Sequence, residues 1–178
     1  KNLLGRFDAE AVPENTIEQN FFVCSELSGV EALFEKAARN SMAGIALIAD
    51  KNNVYGLGIA LEKEEVYYIP AEGLLSGEYL CEKLRKLGEA TVISAMDIKM
   101  LLKYVESLEP ERVFDLGIGA YLLNPLKSSY TYEDIAREYI GGISIPSREE
   151  LLGKETYEKA WEKSSENMGI CACYQAFT

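Results

Sequence analysis

The sequence predicts an α/β fold in which a mixed sheet is flanked by helices. After one helix, three short strands joined by tight turns are predicted at residues 44–49, 54–61 and 65–69. Helical periodicity dominates the rest of the chain, interrupted by one further short strand at residues 91–94. The first three strands predict an antiparallel meander, because their connections are too short for crossovers.

Each strand of the meander is delimited by its own turn residues. The run GIALIA at 44–49 is continuously apolar, which is typical of a buried central strand. The segment DKNN at 50–53 predicts a turn before the second strand, and EKE at 62–64 predicts one before the third. Pro70 closes the third strand, since proline cannot donate to a sheet.

The helices are predicted from spacing and capping residues. Ser28 and Glu31 form a capping-box pattern for a first helix that ends near Asn40. Asp115 can cap a helix through Leu123, and Thr131 another through Tyr139. Apolar residues at helical intervals predict the remaining helices at 76–87, 97–107 and 154–177.

Length and composition restrict the function classes. A chain of 178 residues suits one domain, which we place at residues 21–178 behind a polar leader at 1–20. The net charge of −11 makes a sole DNA-binding role unfavourable, because phosphates are bound mainly by clustered lysine and arginine. Four cysteines with no histidine exclude histidine-activated nucleophiles and make a structural zinc site implausible.

Two further expectations concern the setting of the chain. No apolar run approaches the ~18 residues of a membrane span, and the first residues lack the apolar region of a secretory signal, so we expect a cytoplasmic location without membrane contact. The last predicted helix continues to the final residue. That pattern fits either a fragment of a longer chain or a true C-terminal helix.

Three strings then carry a family resemblance. FDLGIGAYLLNP at 114–125 continues into TYEDIAREYIG at 131–141; VISAMDIKMLLKY stands at 92–104, and the meander occupies 44–70. In this order they resemble the 3′–5′ exonuclease domain of the bacterial DNA polymerase I family, over about residues 20–178. The resemblance implies a ribonuclease H-like (DnaQ-like exonuclease) fold. It is nearest to the subgroup from Gram-positive bacteria, in which the domain has lost proofreading.

The resemblance also implies where a catalytic site would stand. Active members of the family hold two divalent metals with four carboxylates: an Asp-x-Glu pair on the first strand, an Asp on a later helix and an Asp on the last helix. A Tyr four residues before the final Asp orients the attacking water. Such hard cations require oxygen ligands, chiefly carboxylates.

Carried over position by position, these roles fall mostly on residues that cannot perform them. Ile48 stands for the first acid, Asp50 for the second and Leu101 for the third. Gly169 takes the place of the tyrosine and Cys173 that of the final acid. A hydrocarbon cannot ligate a metal, and a thiol is too soft for Mg²⁺. The degenerate positions therefore predict no catalytic residue and no bound cofactor in this fragment.

The function implied is a vestigial, catalytically inactive exonuclease domain with a structural role in DNA replication or repair. Its partners would be the polymerase and 5′-nuclease regions of a longer DNA-directed DNA polymerase. The domain would contact DNA only as part of that longer enzyme. The polymerase reaction of the longer enzyme would need Mg²⁺. The segment from 167 to 178 contains no Asp or Glu, so a small shift of alignment does not restore the last acid.

Alternatives stay open at several residues. Asp50 and Asp97 could together hold one weak metal and support a residual 3′–5′ exonuclease, or Asp50 could begin a turn and Asp97 cap a helix. A stand-alone nucleic-acid-binding domain of the same fold is a third hypothesis, which the net charge disfavours. Aromatic side chains that could stack bases or simply pack are Tyr130, Tyr132 and Tyr139. Cys171 and Cys173 are expected to be buried small apolar residues.

Overall fold

The computed structural model describes residues 20–61 and 65–178. Within them one six-stranded sheet has the order β1-β4-β3-β2-β5-β6. Its strands are β1 (Phe21–Val23), β2 (Met42–Ala49), β3 (Val54–Ala60), β4 (Val66–Pro70), β5 (Val92–Ala95) and β6 (Val113–Asp115). The helices are α1 (Leu27–Ala37), α2 (Gly77–Gly88), α3 (Ile98–Leu101), α4 (Leu116–Leu123), α5 (Tyr132–Tyr139), α6 (Arg148–Leu152), α7 (Tyr157–Lys163) and α8 (Ser165–Phe177).

The strand pairing confirms the predicted fold class. Strands β2, β3 and β4 form the antiparallel meander, while β1 runs parallel to β4, β5 to β2 and β6 to β5. The sheet is therefore mixed and helices flank it, as the sequence predicts. The predicted leader at 1–20, except Asn20, and the predicted turn at 62–64 lie outside the described residues.

Each face of the sheet has its own core. Ile45 and Leu57 pack on one face with apolar residues of α1 and α2. Ile48 packs on the other face with residues of α8. Helix α8 crosses β2, β3 and β4 closely. A Cβ at Gly44 would lie 2.1 Å from the carbonyl oxygen of Ala176, so the approach of this helix requires glycine there.

The predicted capping box at the start of α1 is wrong. The helix begins at Leu27, and Glu26 occupies the N-cap without a side-chain hydrogen bond. Glu31 does not reach back to the helix start. Its carboxylate instead pairs with Lys83 and accepts the hydroxyl of Tyr79, both on α2. A tertiary contact has therefore replaced the local one.

Two predicted helices are shorter than their apolar spacing indicated. The one predicted at 97–107 contains only α3, and the chain reverses near Ser107, whose φ is 64°. This reversal lets β6 return parallel to β5. The one predicted at 154–177 is divided at Ser164, whose extended backbone ends α7 and whose hydroxyl caps α8 by accepting the N–H of Asn167.

Three short elements were not predicted. Strands β1 and β6 have three residues each, which is too few to show a period. Helix α6 does carry a local signal, a complete capping box between Ser147 and Glu150. Among the residues described, no helix has both the length and the apolar character needed to cross a membrane.

Candidate functional site

A cleft of about 310 Å³ opens where the parallel strands β2 and β5 end. Ligands of α/β proteins commonly bind outside the carboxyl ends of such strands. We call this space the cleft. It is lined by Ile45, Ala46, Leu47, Ala49, Ala95, Met96, Asp97, Met100, Leu101, Tyr104, Tyr132, Tyr157 and Gln175.

Asp97 is the one acidic side chain among these lining residues. It is exposed, and it precedes α3 directly. Its Oδ1 accepts the backbone N–H of Met100 at 3.0 Å, which is the hydrogen bond of an N-cap. The carboxylate therefore has a structural partner, as the helix-cap interpretation expects.

Asp50 begins the turn after β2 and does not line the cleft. Its Oδ1 accepts the N–H groups of Asn52 at 2.9 Å and Asn53 at 3.1 Å, and its Oδ2 accepts the hydroxyl of Tyr55 at 2.8 Å. These bonds, that of Asn52 first, hold the pKa of the Asp50 carboxyl below its usual value. Burial and the neighbouring Asp50 raise the pKa of Tyr55 to about 12.

Asp115 caps two helices at once. Its Oδ1 accepts the N–H of Ile118 at 3.0 Å at the start of α4, and its Oδ2 accepts the N–H of Ile98 at 3.0 Å at the start of α3. The N-cap prediction is confirmed, and the structure adds the second helix. Both carboxylate oxygens are thus bound to the backbone.

The degenerate positions Ile48 and Leu101 are both buried, but they belong to different cores. Ile48 is 1% exposed and packs on the α8 side of the sheet, whereas Leu101 is 5% exposed, packs on the other side and lines the cleft. The residues of β2 that line the cleft with i, i+2 spacing are Leu47 and Ala49. The register of β2 shifts between Ile48 and Ala49, at a β-bulge or irregularity.

The last helix shows a similar difference between the expected and the observed lining residues. Gly169 and Cys173 lie beside Tyr68 in a separate depression; a Cβ at Gly169 would be 2.7 Å from the Tyr68 ring. The residue of α8 that lines the cleft is Gln175. Cys171 stands one turn earlier on the same helix and is 2% exposed.

The two buried cysteines are poor nucleophiles and poor metal ligands. Burial raises the pKa of the Cys171 thiol to about 11 and that of Cys173 to about 12. A thiol ligates a metal as the thiolate, which these environments disfavour. The expectation that both are buried small residues is confirmed.

The aromatic candidates separate in the structure. Tyr132 lines the cleft, whereas Tyr130 packs edge-on against Tyr121, with ring centroids 6.2 Å apart. Tyr139 is exposed and does not line the cleft. The tyrosines that sequence reasoning missed are Tyr104, whose hydroxyl donates to the Asp50 carbonyl oxygen at 2.6 Å, and Tyr157.

The residues present do not fit a pair of divalent metals. Within residues 20–61 and 65–178, no three His, Cys, Asp or Glu side chains are grouped so that they could hold one ion. The cleft offers one carboxylate, a glutamine amide and tyrosine hydroxyls among apolar side chains. Two-metal chemistry needs several oxygen ligands that are shared by two cations about 4 Å apart.

Comparisons with known proteins support the fold. No family model and no curated protein matches the sequence. Among solved structures, the EXO domain of Nibbler from Aedes aegypti has a TM-score of 0.62 and 13% identity, over 90% of this chain and 86% of that one. RNase D from Trypanosoma brucei has a TM-score of 0.67 and 10% identity, over 90% of this chain and 62% of that one.

A polymerase also appears among the similar structures. The POL domain of Pol1 from M. smegmatis, in complex with DNA primer-template and dNTP, gives a TM-score of 0.59 and 16% identity. The match covers 86% of this chain but 25% of that one. Identities this low establish the fold alone. The chain described here therefore has the fold of DnaQ-like 3′–5′ exonuclease domains.

Proposed function

We propose that this chain is a catalytically inactive 3′–5′ exonuclease-like domain with a structural role in a template-directed DNA polymerase. The observation that carries the proposal is the lining of the cleft, where an exonuclease of this fold would need a cluster of carboxylates and this chain has one. Asp97 is that carboxylate, and it already caps α3.

The proposal does not depend on the alignment of the first strand. If the Asp-x-Glu pair corresponds to Ile48 and Asp50, one acid remains and it is bound within its own turn. If it corresponds to the cleft-lining pair Leu47 and Ala49, no acid remains. A single carboxylate cannot hold two cations near each other, because their mutual repulsion needs several negative ligands to offset it.

The last helix supports the same conclusion in either register. Cys173 and Gly169 face away from the cleft, and the helix presents Gln175 to it. A neutral amide supplies an oxygen but no negative charge. Since residues 167–178 contain no acid, an alignment shifted within this part of α8 still supplies no carboxylate to the cleft.

The parent and its partners are part of the proposal. The polymerase I resemblance and the match to Pol1 of M. smegmatis support a place within a longer, cytoplasmic polymerase, between its 5′-nuclease and polymerase regions. Mg²⁺ would then serve the polymerase region of the parent, and DNA would be bound there. The net charge of −11 agrees with weak DNA binding by this domain alone.

The test is an exonuclease assay. The purified chain is incubated with 3′-labelled single-stranded DNA and either Mg²⁺ or Mn²⁺, and we expect no trimming above the level of a metal-free sample. A control variant, Glu149→Ala, changes an exposed acid on α6 and monitors contaminating nuclease. Metal-dependent trimming that persists in this control and disappears in Asp97→Ala would refute inactivity.

A residual exonuclease that uses Asp50 and Asp97 is the second candidate. The position of Asp97 in the cleft is the observation in its favour. Titration with Mn²⁺ in a calorimeter tests it directly, and our proposal predicts no saturable binding. A saturable site that is lost in both Asp50→Ala and Asp97→Ala would instead favour this candidate.

A further inference from the structure

Helix α4 presents an apolar surface that lies outside the cores of the protein. Its large apolar side chains, with two at the C-terminal end of the helix, are between 44% and 94% exposed: Phe114, Ile118, Tyr121, Leu122, Leu123 and Leu126. None of them belongs to the apolar clusters that the described residues form. We call this set of residues the α4 face.

The central members of the α4 face are neighbours. Ile118 and Leu122 stand four residues apart on the helix, and Ile118 and Tyr121 stand three apart, so these side chains adjoin. The Phe114 ring lies against the same helix, because a Cβ at Gly119 would be 2.9 Å from its Cζ atom. The α4 face is therefore a continuous surface at its centre and not a set of scattered side chains.

The exposed area of the α4 face is large enough for an interface. A fully exposed side chain of this size has about 200 Å² of accessible surface, so the whole face exposes roughly 750 Å². The largest apolar patch on a monomeric protein is usually about 300–600 Å². A standard interface buries about 800 Å² of each partner, and about 60% of that area is apolar. The α4 face therefore supplies the apolar area that one side of a stable dimer needs.

The α4 face carries no charge of its own. Residues 116–126 include no Lys, Arg, Asp or Glu. Asp115 precedes them, and both of its carboxylate oxygens accept backbone N–H groups. In a two-fold dimer each surface patch meets its own copy, so a patch of one charge would repel itself, whereas an uncharged apolar patch does not. This composition favours a second copy of the chain as the partner.

The position of α4 in the fold allows such a contact. The helix follows β6, which is the last strand at one edge of the sheet. Gly117 and Gly119 each lower the intrinsic stability of this short helix by about 1 kcal/mol relative to alanine. Burial of the outer side of the helix against another surface would offset that cost.

We propose that the α4 face binds the α4 face of a second copy of this chain in a two-fold symmetric dimer. Ile118 and Leu122 lie at the centre of the contact, and Phe114 and Tyr121 flank them. The net charge of −11 on each copy opposes the association, so salt strengthens the dimer by screening the repulsion. The proposal does not depend on whether the cleft is active or on the nature of a parent chain.

Sedimentation equilibrium of the unmodified chain measures the association. We expect the mass to rise from that of one chain to that of two between about 1 and 100 μM, since interfaces of standard size have dissociation constants of micromolar or below. The dissociation constant should fall as NaCl is raised from about 50 to 500 mM. The mass of one chain throughout would overturn the proposal and leave the α4 face to a different partner. A mass that exceeds two chains without a plateau would also overturn it.

Ile118→Glu/Leu122→Glu places charge at the centre of the α4 face. Both positions are exposed, so the fold should be retained, which far-UV circular dichroism checks. We expect the dissociation constant of the dimer to rise at least about 100-fold, because buried central residues contribute most of the binding free energy. An unchanged dissociation constant in this variant would overturn the assignment to α4.

The matched control makes the same change of charge elsewhere. Val23→Glu/Leu74→Glu alters two exposed apolar positions, and Val23 lies on β1 at the opposite edge of the sheet. We expect its dissociation constant to stay within about threefold of that of the unmodified chain, because added surface charge is screened. A loss of association as large as that of the α4 variant would show that net charge, and not the α4 face, controls the dimer.

A mixing experiment tests the two-fold arrangement. Ile118→Lys/Leu122→Lys should by itself be monomeric at concentrations where the unmodified chain is dimeric. An equimolar mixture with Ile118→Glu/Leu122→Glu should restore the mass of two chains, because the introduced carboxylates of one copy then face the introduced ammonium groups of the other. If the mixture stays monomeric, the α4 face does not meet its own copy and the proposal is overturned.

Discussion

The margin of the cleft and the apolar interior of the protein differ in the side chains that they contain. At the margin, Asp97 and Asp115 accept backbone N–H groups, and Asp50 does the same in the adjoining turn. In the interior, Ile48 and Leu101 are 1% and 5% exposed and pack in apolar clusters. Acids therefore occur where the backbone needs acceptors, and hydrocarbons occur where burial stabilises the fold.

This difference has a simple physical basis. An exposed carboxylate keeps much of its hydration while it accepts a backbone N–H, so capping gives a net gain of about 1 kcal/mol. A buried carboxylate without partners loses its hydration, and the loss is compensated only by metals or by hydrogen bonds. Substitutions of the buried apolar residues and of the capping acids should therefore lower the free energy of unfolding by different amounts.

The largest effect is expected from an acid in the interior. Ile48→Asp replaces a side chain that packs with Tyr55, Tyr68 and Met168 by a carboxylate without a partner. We expect the free energy of unfolding to fall by about 4 kcal/mol or more, because packing and hydration are both lost. Urea denaturation at pH 7 measures this loss.

A conservative change at the same position provides the control. Ile48→Val removes one methylene and should lower the free energy of unfolding by about 0.5–1.5 kcal/mol. If Ile48→Asp were as stable as the unmodified chain and bound Mn²⁺ saturably, the interior would be a metal site that lacks one ligand. That result would contradict the assignment of Ile48 to a purely apolar core.

An intermediate effect is expected at the margin. Asp115→Ala removes the cap of α4 and also the hydrogen bond to the first N–H of α3, and it should lower the free energy of unfolding by about 2 kcal/mol. Asp97→Ala removes one cap and should lower it by about 1 kcal/mol. Thermal and urea unfolding of both variants test the ratio. Equal losses would mean that Asp115 does not stabilise two helices.

The smallest effect concerns the pH dependence of Asp50. Its folded-state pKa lies below the unfolded value of about 3.9, so its contribution is complete above that value and decreases as the pH falls through the folded pKa. Asp50→Asn should therefore lower the free energy of unfolding near neutral pH, by less than about 1 kcal/mol after solvent screening. The difference from the unmodified chain should vanish in acid. A difference independent of pH between 2 and 7 would contradict the assignment.

Sequence patterns predicted the meander because its strands are long enough to show periodicity. Residues 50–53 also form the predicted turn, in which Asp50 binds the N–H groups of Asn52 and Asn53. The patterns did not reveal β1 and β6, whose few residues are held by neighbouring strands. They also overestimated the helices at 97–107 and 154–177, because apolar spacing continues through a capping serine or a chain reversal.

The candidate site was predictable in kind but not in its particular lining residues. A shift of one residue along β2 moves a side chain to the other face of the sheet, so Leu47 and Ala49 line the cleft where Ile48 was expected. On α8, helical rotation separates Cys173 from the cleft and presents Gln175. No pattern in one sequence distinguishes these registers.

The sequence by itself determined the α/β class, the order of the central strands, the capping role of Asp115 and the scarcity of acids where a nuclease needs them. These depend on local composition and on interactions between residues near in the chain. The tertiary structure alone decided which face each residue occupies, that Asp115 caps a second helix, and that Glu31 binds α2. Those outcomes depend on distant segments that meet only after the sheet and α8 have packed, and so on contacts that local pattern does not encode.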